Sequence, residues 1–436
     1  PDAVRHLKAQ GVSLLVTVDC GVTSAPEVAL ARELGMDVVI TDHHAPPHEL
    51  PRALAIVDPR LGGAGSPGAD LSGAGLAFKL AQALQTPGAA PDGTLFQLAA
   101  LGTIADVAPL TGENRALVKE GLRAIRTSPL PGLQALLRCA GEEPRSVDAE
   151  GVSFIIAPRL NAAGRMEHAS TAYALLTAGS AEEAAGPAET LEGLNRERQR
   201  LTEECHGLAR EQVLSWDSLP PLLLLADEGF SPGVSGLVAS RLVEEFYRPS
   251  VVVALDEVAR ASARSIGEFN MIAALSCCGD LFLRYGGHPQ AAGFVMERGG
   301  LPSLRERLLP LAAEALAGLE LRPALTIDAH VSLRSLNGEA LQWFRALDPY
   351  GPGNPTPVFL ARNAEVVRPR VMGENGEHLR LALREGNVVW EAVAFRQGER
   401  APVEGSRVDV VFTLGTDWWH GAEVLSLRVL DFRPSA

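Results

Sequence analysis

An apolar run that ends in one carboxylate and two imidazoles constrains this chain more than any other feature. Val38-Val39-Ile40-Thr41 leads directly into Asp42-His43-His44, and Leu14-Leu15-Val16-Thr17-Val18 upstream leads into Asp19. Apolar runs of this length are typical of buried parallel strands, whose ligand crevice lies beyond the carboxyl ends of the strands. The two runs therefore predict one polar site at the edge of a parallel sheet, with metal-type ligands from both strands.

The composition describes a large acidic chain without membrane segments. Its 436 residues predict about two to four domains, and its 39 basic and 53 acidic residues give a net charge of −14. This charge argues against a general nucleic-acid binder, although a local basic groove on an acidic protein is sufficient to hold phosphates. No apolar run is long enough to cross a bilayer, and the five cysteines form no paired framework. We expect a cytoplasmic protein in a reducing environment, with no membrane partner.

The predicted elements change character along the chain and indicate four regions. Residues 1–125 alternate strands with helices, which predicts βαβ units in a parallel sheet, and the first domain is expected to extend over residues 1–180. Residues 181–214 form one long charged helical pattern, which Pro187 is expected to kink or divide. This helix is either a surface helix of the first domain or, as the strand after it favours, a connector between domains. Residues 215–322 predict a second, smaller α/β domain, and the short alternating strands of 323–436 predict an OB-like β-barrel.

Asp19, His43 and Asp106 are the candidate metal ligands. Two carboxylates and one imidazole suit a hard or borderline divalent ion such as Mn²⁺ or Mg²⁺. A carboxylate can bridge two such ions, and a two-metal site stabilises both the attacking and the leaving oxygen of a phosphoryl displacement. We expect His44 to hydrogen-bond a phosphate and Asp42 to orient a ligand from behind. The alternative is that the two histidines only cap the loop after the strand. The presence of two strand-end acids in one βαβ unit favours the metal site over this alternative.

Blocks with a fixed order extend along nearly the whole chain, at residues 16–21, 41–44, 102–110, 158–166, 236–242, 262–265, 284–294 and 349–355. In this order they resemble the DHH phosphoesterase superfamily, and within it the bacterial exonucleases specific for single-stranded DNA. The Asp-His-His triplet alone is a weak signal, whereas the ordered series is specific. The resemblance implies a DHH-type parallel-sheet domain, a long connecting helix, a smaller DHH-associated α/β domain and an OB-like barrel.

The resemblance also implies a role for each residue of the strand-end site. Asp19 resembles the carboxylate that bridges both metals, and His43 and Asp106 resemble ligands of one metal. His44 resembles the imidazole that contacts the phosphate, with Asp42 as its supporting acid, so these two are the candidate catalytic residues. The implied cofactor is Mn²⁺ or Mg²⁺, bound in a two-metal site in the complete protein.

A second set of residues is implied to bind the substrate. Ser262 and Arg264 would share one face of a strand, so that a hydroxyl and a guanidinium grip one phosphate. Two consecutive glycines, as at positions 286 and 287, let backbone N–H groups approach an anion. Each feature alone has a structural alternative: a tight turn for the glycines, a solvated side chain for the strand arginine, and a structural network for the loop around Arg159. The set is Arg159, Asn161, Arg165, Ser262, Arg264, Gly286, Gly287 and His288.

The predicted barrel offers aromatic faces to single-stranded bases. Most aromatic residues of a small barrel belong to its core, so Trp390, Phe395 and Phe412 are expected to supply at most one or two stacking faces. Trp418 and Trp419 are adjacent on a predicted strand and must face opposite sides. The exposed one of the two is therefore the preferred stacking residue.

The start of the chain departs from the resemblance. The first motif of the superfamily, an Asp-x-Asp pair on an earlier strand, should precede Asp19. The eighteen residues before Asp19 contain one aspartate, Asp2, and no such pair. We expect a piece of a longer chain rather than a degenerate relative. As it stands, the chain is expected to hold one metal and to have weak activity or none.

Three functions remain open at this point. The leading one is a divalent-metal-dependent 5′→3′ exonuclease that hydrolyses single-stranded DNA by a two-metal mechanism in DNA repair and recombination; its polarity is implied by the resemblance alone. A small-substrate DHH phosphatase or oligonucleotidase is disfavoured because such relatives look shorter and lack the barrel. A catalytically dead DHH scaffold is supported only by the missing motif. The implied partners are single-stranded DNA, a single-strand-binding protein and a RecQ-type helicase, and a monomer is expected.

Overall fold

The structure, a computed structural model, describes residues 1–63, 65–66, 68–86, 92–373, 375–419 and 422–435, and the side chains of 416–419 and 422–424 lie outside this description. The chain forms two compact units, each assembled from separate segments. The first comprises Pro1–Pro129, Pro144–Ser153 and Leu325–Ala436, and the second comprises Leu130–Glu143 and Phe154–Ala324. Within the described ranges, no helix is both long and apolar enough to span a membrane.

The α-helices and strands are numbered in chain order. The helices are α1 (Asp2–Ala9), α2 (Ala25–Glu33), α3 (Gly73–Leu84), α4 (Gly93–Ala105), α5 (Gly112–Thr127), α6 (Pro131–Ala140), α7 (Ala149–Gly151), α8 (Ala157–Met166), α9 (Ser170–Thr177), α10 (Ala181–Leu214), α11 (Ser235–Phe246), α12 (Met271–Ser276), α13 (Leu301–Ala315) and α14 (Gly338–Ala346). The strands are β1 (Leu14–Val18), β2 (Asp37–Thr41), β3 (Ala55–Val57), β4 (Leu223–Asp227), β5 (Ser250–Leu255), β6 (Ala259–Arg264), β7 (Phe282–Gly287), β8 (Ala291–Met296), β9 (Ala329–His330), β10 (Phe359–Met372), β11 (His378–Glu385), β12 (Val388–Ala394), β13 (Arg407–Trp419) and β14 (Ala422–Pro434).

The first unit begins with the parallel sheet that the apolar runs predict. Its strands lie in the order β1-β2-β3 and are all parallel, with Val18 beside Thr41. Val38 and Ile40 of β2 are buried in an apolar cluster that includes Val28 of α2. Because β1 and β2 are parallel neighbours, their carboxyl ends reach the same edge of the sheet. The predicted parallel βαβ arrangement is confirmed.

The C-terminal part of the first unit is a β-barrel. β10 pairs with β13 on one side and with β11 on the other, which closes the five strands in the order β11-β12-β14-β13-β10. Its interior is apolar, and the Phe412 side chain is fully buried there. Closure removes the exposed edges that an open sheet of this size would present. The predicted OB-like barrel is confirmed.

The second unit contains a mixed five-stranded sheet in the order β4-β5-β6-β8-β7, in which only β4 and β5 are parallel neighbours. Two separate apolar clusters pack against it. The long helix α10 continues through Pro187 as a single helix, so the predicted division does not occur. Proline removes one backbone hydrogen bond, whereas the buried residues Ala184, Ala188 and Leu191 on either side hold the helix in place.

Candidate metal centre and phosphate-binding residues

Asp19 leaves the end of β1 in an unusual backbone conformation. Its φ is 62°, in the left-handed region that aspartate tolerates better than most residues, and its amide donates to the Thr41 carbonyl oxygen at 3.0 Å. The Thr41 hydroxyl in turn donates to the Thr17 carbonyl oxygen at 2.8 Å. Gly21 makes this turn possible, since its φ is 114° and a Cβ there would lie 2.8 Å from Thr17 Oγ1. The ends of β1 and β2 are thus tied together, which fixes the Asp19 backbone.

Asp42 is a buried anchor beneath the two histidines. Its Oδ1 accepts hydrogen bonds from the amides of His43 (2.8 Å) and His44 (3.2 Å) and lies 2.7 Å from His44 Nδ1, while its Oδ2 accepts from the Val22 amide at 2.9 Å. Burial alone would raise the pKa of the carboxyl, but these hydrogen bonds together lower it. Both carboxylate oxygens are therefore occupied by protein donors, as expected of a residue that orients its neighbours.

His43 faces two carboxylates. Its Nε2 lies 2.9 Å from Asp19 Oδ1 and 3.6 Å from Asp106 Oδ2. This nitrogen is buried, yet at that short separation it makes no hydrogen bond of acceptable direction. A buried ring nitrogen without a hydrogen bond carries an energetic penalty, which coordination of a cation would remove. The arrangement fits a nitrogen that shares a metal ion with its two carboxylate neighbours.

Asp106 completes this group from the end of α4. Its amide donates to the Gly102 carbonyl oxygen at 2.9 Å, which continues the helical bonding and sets where the carboxylate emerges. Burial raises the pKa of Asp106, and the Asp19 carboxylate raises it further, while the His43 imidazole acts in the opposite direction. A partly buried carboxyl whose ionisation a neighbouring carboxylate disfavours is the expected surroundings of a divalent cation. The three side chains fit Mn²⁺ or Mg²⁺ by donor type.

His44 lies beside this group and is more exposed. Its Nδ1 is held by Asp42, and its ring centroid lies 4.7 Å from that of His43. One ligand atom each of Asp19, His43 and His44 lies within 4.8 Å of the others. With a proton fixed on Nδ1 by the carboxylate, Nε2 is left to face solvent or a ligand. The structure therefore brings together all five residues that the sequence assigned to the strand-end site.

The sequence did not single out Gly73, the first residue of α3. A Cβ at this position would lie only 2.5 Å from Asp19 Oδ1, so the backbone of α3 closely approaches the carboxylate. A Cβ on Gly102 of α4 would lie 2.2 Å from Ala74 Cβ, so α3 and α4 also cross in close contact. The signal in the sequence is the run of small residues from Ser72 to Gly75, which is weak until Asp19 is placed beside it.

The second unit contains the other candidates, and its arginines differ in their partners. Arg159 Nε donates to Glu192 Oε2 at 2.7 Å and its Nη1 to the Ile155 carbonyl oxygen at 2.8 Å. Its charge is thus matched within the protein, which agrees with the alternative of a structural network. Asn161 is exposed on the same helix, α8.

Arg165, Arg198 and Arg264 form a cationic cluster. Burial and the neighbouring Arg165 guanidinium lower the pKa of Arg264, and burial together with Arg165 lowers that of Arg198. The first turn of α11 closes over this cluster, since a Cβ on Gly236 would lie 3.0 Å from Arg264 Nη2 and 3.6 Å from Ser262 Oγ. Mutual repulsion of guanidiniums is relieved by an anion, and a helix N-terminus favours one as well. Arg198 was not among the predicted residues, because on a long charged helix it resembles any solvated arginine.

The Gly286-Gly287-His288 segment has a packing explanation. Both glycines belong to β7, and Gly287 has a φ of 144°. No side chain fits at this position, because a Cβ would lie 2.4 Å from the Ala291 carbonyl oxygen. The His288 amide donates to that same oxygen at 2.8 Å. The tight β7–β8 connection therefore accounts for Gly287, whereas Gly286 has open space beside its Cα.

The barrel aromatics divide into core and surface residues. Phe412 is fully buried, and Trp390 is partly buried with its Nε1 donating to the Leu333 carbonyl oxygen at 2.8 Å. Phe395 is 48% exposed, and the Arg428 guanidinium lies 5.4 Å from its ring centroid. The preferred stacking residues, Trp418 and Trp419, have side chains outside the described part of the structure.

Comparison with known proteins supplies the family. Residues 1–103 match the DHH family N-terminal domain, residues 219–317 match the DHHA1 domain, and residues 327–431 match the RecJ OB domain. The chain is 34% identical over 464 residues to the single-stranded-DNA-specific exonuclease RecJ of Escherichia coli, covering 100% of this chain and 79% of that protein. The chain belongs to the RecJ family.

Other RecJ proteins match over the same extent. The exonuclease RecJ of Bacillus subtilis is 38% identical over 434 residues, which cover 98% of this chain and 55% of that protein. The crystal structure of Thermus thermophilus RecJ in complex with Mn²⁺ is similar with a TM-score of 0.86 and 36% identity, covering 100% of this chain and 64% of that one. The chain thus spans a little over half of the Bacillus subtilis RecJ. The predicted superfamily resemblance is confirmed.

Proposed function

We propose that this chain is the nuclease part of a divalent-metal-dependent exonuclease that degrades single-stranded DNA from the 5′ end, in DNA repair and recombination. The observation that carries this proposal is the buried His43 Nε2, which makes no hydrogen bond while facing the Asp19 and Asp106 carboxylates. Membership of the RecJ family supports the choice of substrate, since its relatives are named single-stranded-DNA-specific exonucleases. RecJ of Thermus thermophilus has been crystallised with Mn²⁺ and with Mg²⁺.

Asp19, His43 and Asp106 would hold the cation, Mn²⁺ or Mg²⁺. A bound divalent cation supplies positive charge that stabilises the phosphate as negative charge builds up on its oxygens. Asp42 Oδ1 lies 2.7 Å from His44 Nδ1 and orients the ring, so that His44 Nε2 would face a phosphate oxygen of the substrate. Asp19 would also contribute to holding a second metal, which we propose for the complete protein.

The cationic cluster of the second unit would bind a phosphate of the DNA backbone. Arg165, Arg198 and Arg264 supply charge, and Ser262 Oγ supplies a donor next to Arg264. We assign Arg159 to a structural role, because Glu192 already neutralises it. Asn161, Gly286 and His288 remain proposed substrate contacts on the family resemblance alone.

The boundaries 1–180, 181–214, 215–322 and 323–436 are proposed as the DHH domain, connecting helix, DHH-associated domain and OB-like domain. We further propose that the protein is a cytoplasmic monomer, and that it works with a single-strand-binding protein and a RecQ-type helicase. Five free cysteines support a reducing compartment. The partners rest on the family resemblance alone.

The test is Mn²⁺-dependent hydrolysis, by the chain extended upstream of Pro1, of a long single-stranded oligonucleotide that carries a label at either the 5′ or the 3′ end. We expect the 5′ label to be released first, as mononucleotides. His43→Ala should lower the rate by more than the ~10–100-fold that partners of metal ligands contribute. His48→Ala is the matched control, since this exposed histidine lies on the loop that follows His44.

Two results would contradict the proposal in different ways. Faster hydrolysis of dinucleotides than of the long oligonucleotide would favour a small-substrate oligonucleotidase. Absence of both Mn²⁺ binding and nucleotide release in the extended protein would favour a scaffold without catalysis.

A further inference from the structure

The loop that carries Asp106 follows a strained path. Val107, the next residue, has a φ of 58° and is 67% exposed, although β-branched residues rarely adopt the left-handed region. Such a conformation persists only where the surrounding structure over-determines it. On one side, the amides of Asp106 and Ala108 donate to α4 carbonyl oxygens, at 2.9 Å to Gly102 and 3.2 Å to Thr103. The other side of the loop is held by a segment far away in the sequence.

That segment is 349–354, the Pro-Tyr-Gly-Pro-Gly-Asn motif before the barrel strands, to which the proposed function gives no role. The Leu110 amide donates to the Pro352 carbonyl oxygen at 2.6 Å. The Leu110 side chain is buried, and a Cβ on Gly351 would lie 2.7 Å from its Cδ1. Gly353 has a φ of 74°, and its Cβ would lie 3.0 Å from Thr111 Cγ2. The two glycines therefore let the backbone of 349–354 lie directly against the Asp106 loop.

Arg115 fastens the same contact from α5. Its Nη2 donates to the carbonyl oxygens of Leu347 at 2.6 Å and Asp348 at 3.1 Å, with longer contacts to neighbouring carbonyls. These carbonyls follow the C-terminus of α14, where a cation is favoured. Arg115 Nη1 also donates to the Pro349 carbonyl oxygen at 3.4 Å, and Asn354 Nδ2 donates to that oxygen at 2.8 Å, so the segment is bonded both to α5 and to itself.

We infer that Arg115 and segment 349–354 are a positioning element for Asp106, so that the metal site depends on a contact with the barrel region. This inference rests on the proposed function, because it treats Asp106 as a metal ligand. Neither Arg115 nor the segment is among the proposed ligands, so their effect passes through the backbone from Leu110 to Val107. Without this contact, Val107 relaxes from its strained conformation and the Asp106 carboxylate turns away from His43.

A purely structural role makes a different prediction from a positioning role. If the contact only stabilises the fold, its loss lowers the melting temperature and leaves Mn²⁺ affinity unchanged in the folded protein. If it positions Asp106, its loss weakens Mn²⁺ binding even where the protein is fully folded. Metal affinity therefore separates the two.

The experiment is titration calorimetry of the whole chain with MnCl₂, for wild type and Arg115→Ala, at a temperature where thermal unfolding shows both to be folded. We expect Mn²⁺ binding to weaken about tenfold or more, as for loss of other groups that orient metal ligands. Arg123→Ala is the matched control, because Arg123 lies on the same helix, is exposed and pairs with Glu120 of that helix at 2.8 Å. Its Mn²⁺ affinity should equal that of wild type.

Gly351→Ala disrupts the same contact without removing a charge. If Arg115→Ala does not fold, the Mn²⁺ affinity of Gly351→Ala distinguishes the positioning role from a purely structural one. Folded variants that bind Mn²⁺ as tightly as wild type would overturn the positioning role and leave the proposed function intact. A wild-type chain that binds no Mn²⁺ would overturn the proposed function, and the positioning role with it.

Discussion

At the scale of single residues, the space around Asp19 is closely defined by groups that carry no chemistry themselves. Gly73 leaves room for the carboxylate, and Gly21 leaves room for the turn that presents it. The proposed ligands could be located from the sequence because Asp19 and Asp106 directly follow a strand or helix, and His43 lies two residues after its strand. The glycine at position 73 could not, because its importance depends on a residue from a distant strand.

We predict that Gly73→Ala weakens Mn²⁺ binding by about 10–100-fold, since the added Cβ must displace the Asp19 carboxylate. Titration calorimetry measures the change. Gly93→Ala is the control, because Gly93 is likewise the first residue of a helix and its Cβ would make only an ordinary contact, 4.0 Å from Ala124 Cβ. Equal Mn²⁺ affinity in wild type and Gly73→Ala would show that α3 does not constrain Asp19.

At the scale of elements, hydrophobic patterns in the sequence predict many of the individual strands and helices. The same patterns do not predict which elements contact each other. Arg115 and Leu347 are 232 positions apart, and nothing in the sequence near either residue indicates the other. Arg198 is equally hidden, because only the fold brings α10 beside Arg165. Local periodicity reports which face of an element is buried, but it carries no information about which distant element covers that face.

The segment after α14 contains a partly buried carboxyl, that of Asp348, whose titration affects stability. Burial raises the pKa of Asp348, and Asp148 raises it further, against the opposing effect of Arg126. A carboxyl whose pKa is raised by folding destabilises the folded state once it is ionised, at pH values above that raised pKa. We predict that Asp348→Asn raises the melting temperature near pH 8, and that this gain shrinks as the pH falls towards the ordinary carboxyl pKa of about 4.

Asp409 of β13 has the opposite effect on stability, because its pKa is lowered rather than raised. A hydrogen bond from the Ser435 hydroxyl lowers the pKa of Asp409. Its ionised form therefore stabilises the fold at neutral pH, and Asp409→Asn should lower the melting temperature there, with the difference disappearing in acid. Thermal unfolding followed from neutral to acidic pH measures both variants. A gain for Asp348→Asn that did not depend on pH would contradict the assignment to ionisation.

At the scale of the whole molecule, a net charge of −14 must be reconciled with the proposed binding of single-stranded DNA, a polyanion. Long-range attraction cannot drive such binding, so it depends on local clusters such as Arg165, Arg198 and Arg264. Each phosphate that such a cluster neutralises contributes about −0.7 to the slope of log K against log salt concentration for a single strand.

We predict that Arg198→Gln weakens binding of single-stranded DNA and makes this slope shallower by about 0.7, as measured by fluorescence anisotropy over a salt series. Arg200→Gln is the control, because Arg200 lies on the same helix and its guanidinium is already held by Glu197 at 2.6 Å and Glu204 at 2.5 Å. A slope that Arg198→Gln leaves unchanged would place the phosphate contact elsewhere.

Asp42 connects the two neighbouring histidines through one carboxylate oxygen, which accepts from both backbone amides and holds the ring of His44. This shared contact constrains how the family can evolve. A substitution at position 42 would alter the proposed metal ligand and the proposed phosphate donor in the same step. Neither property can be tuned here independently of the other, so inherited variation is expected to accumulate around this triplet and to leave the triplet itself unchanged.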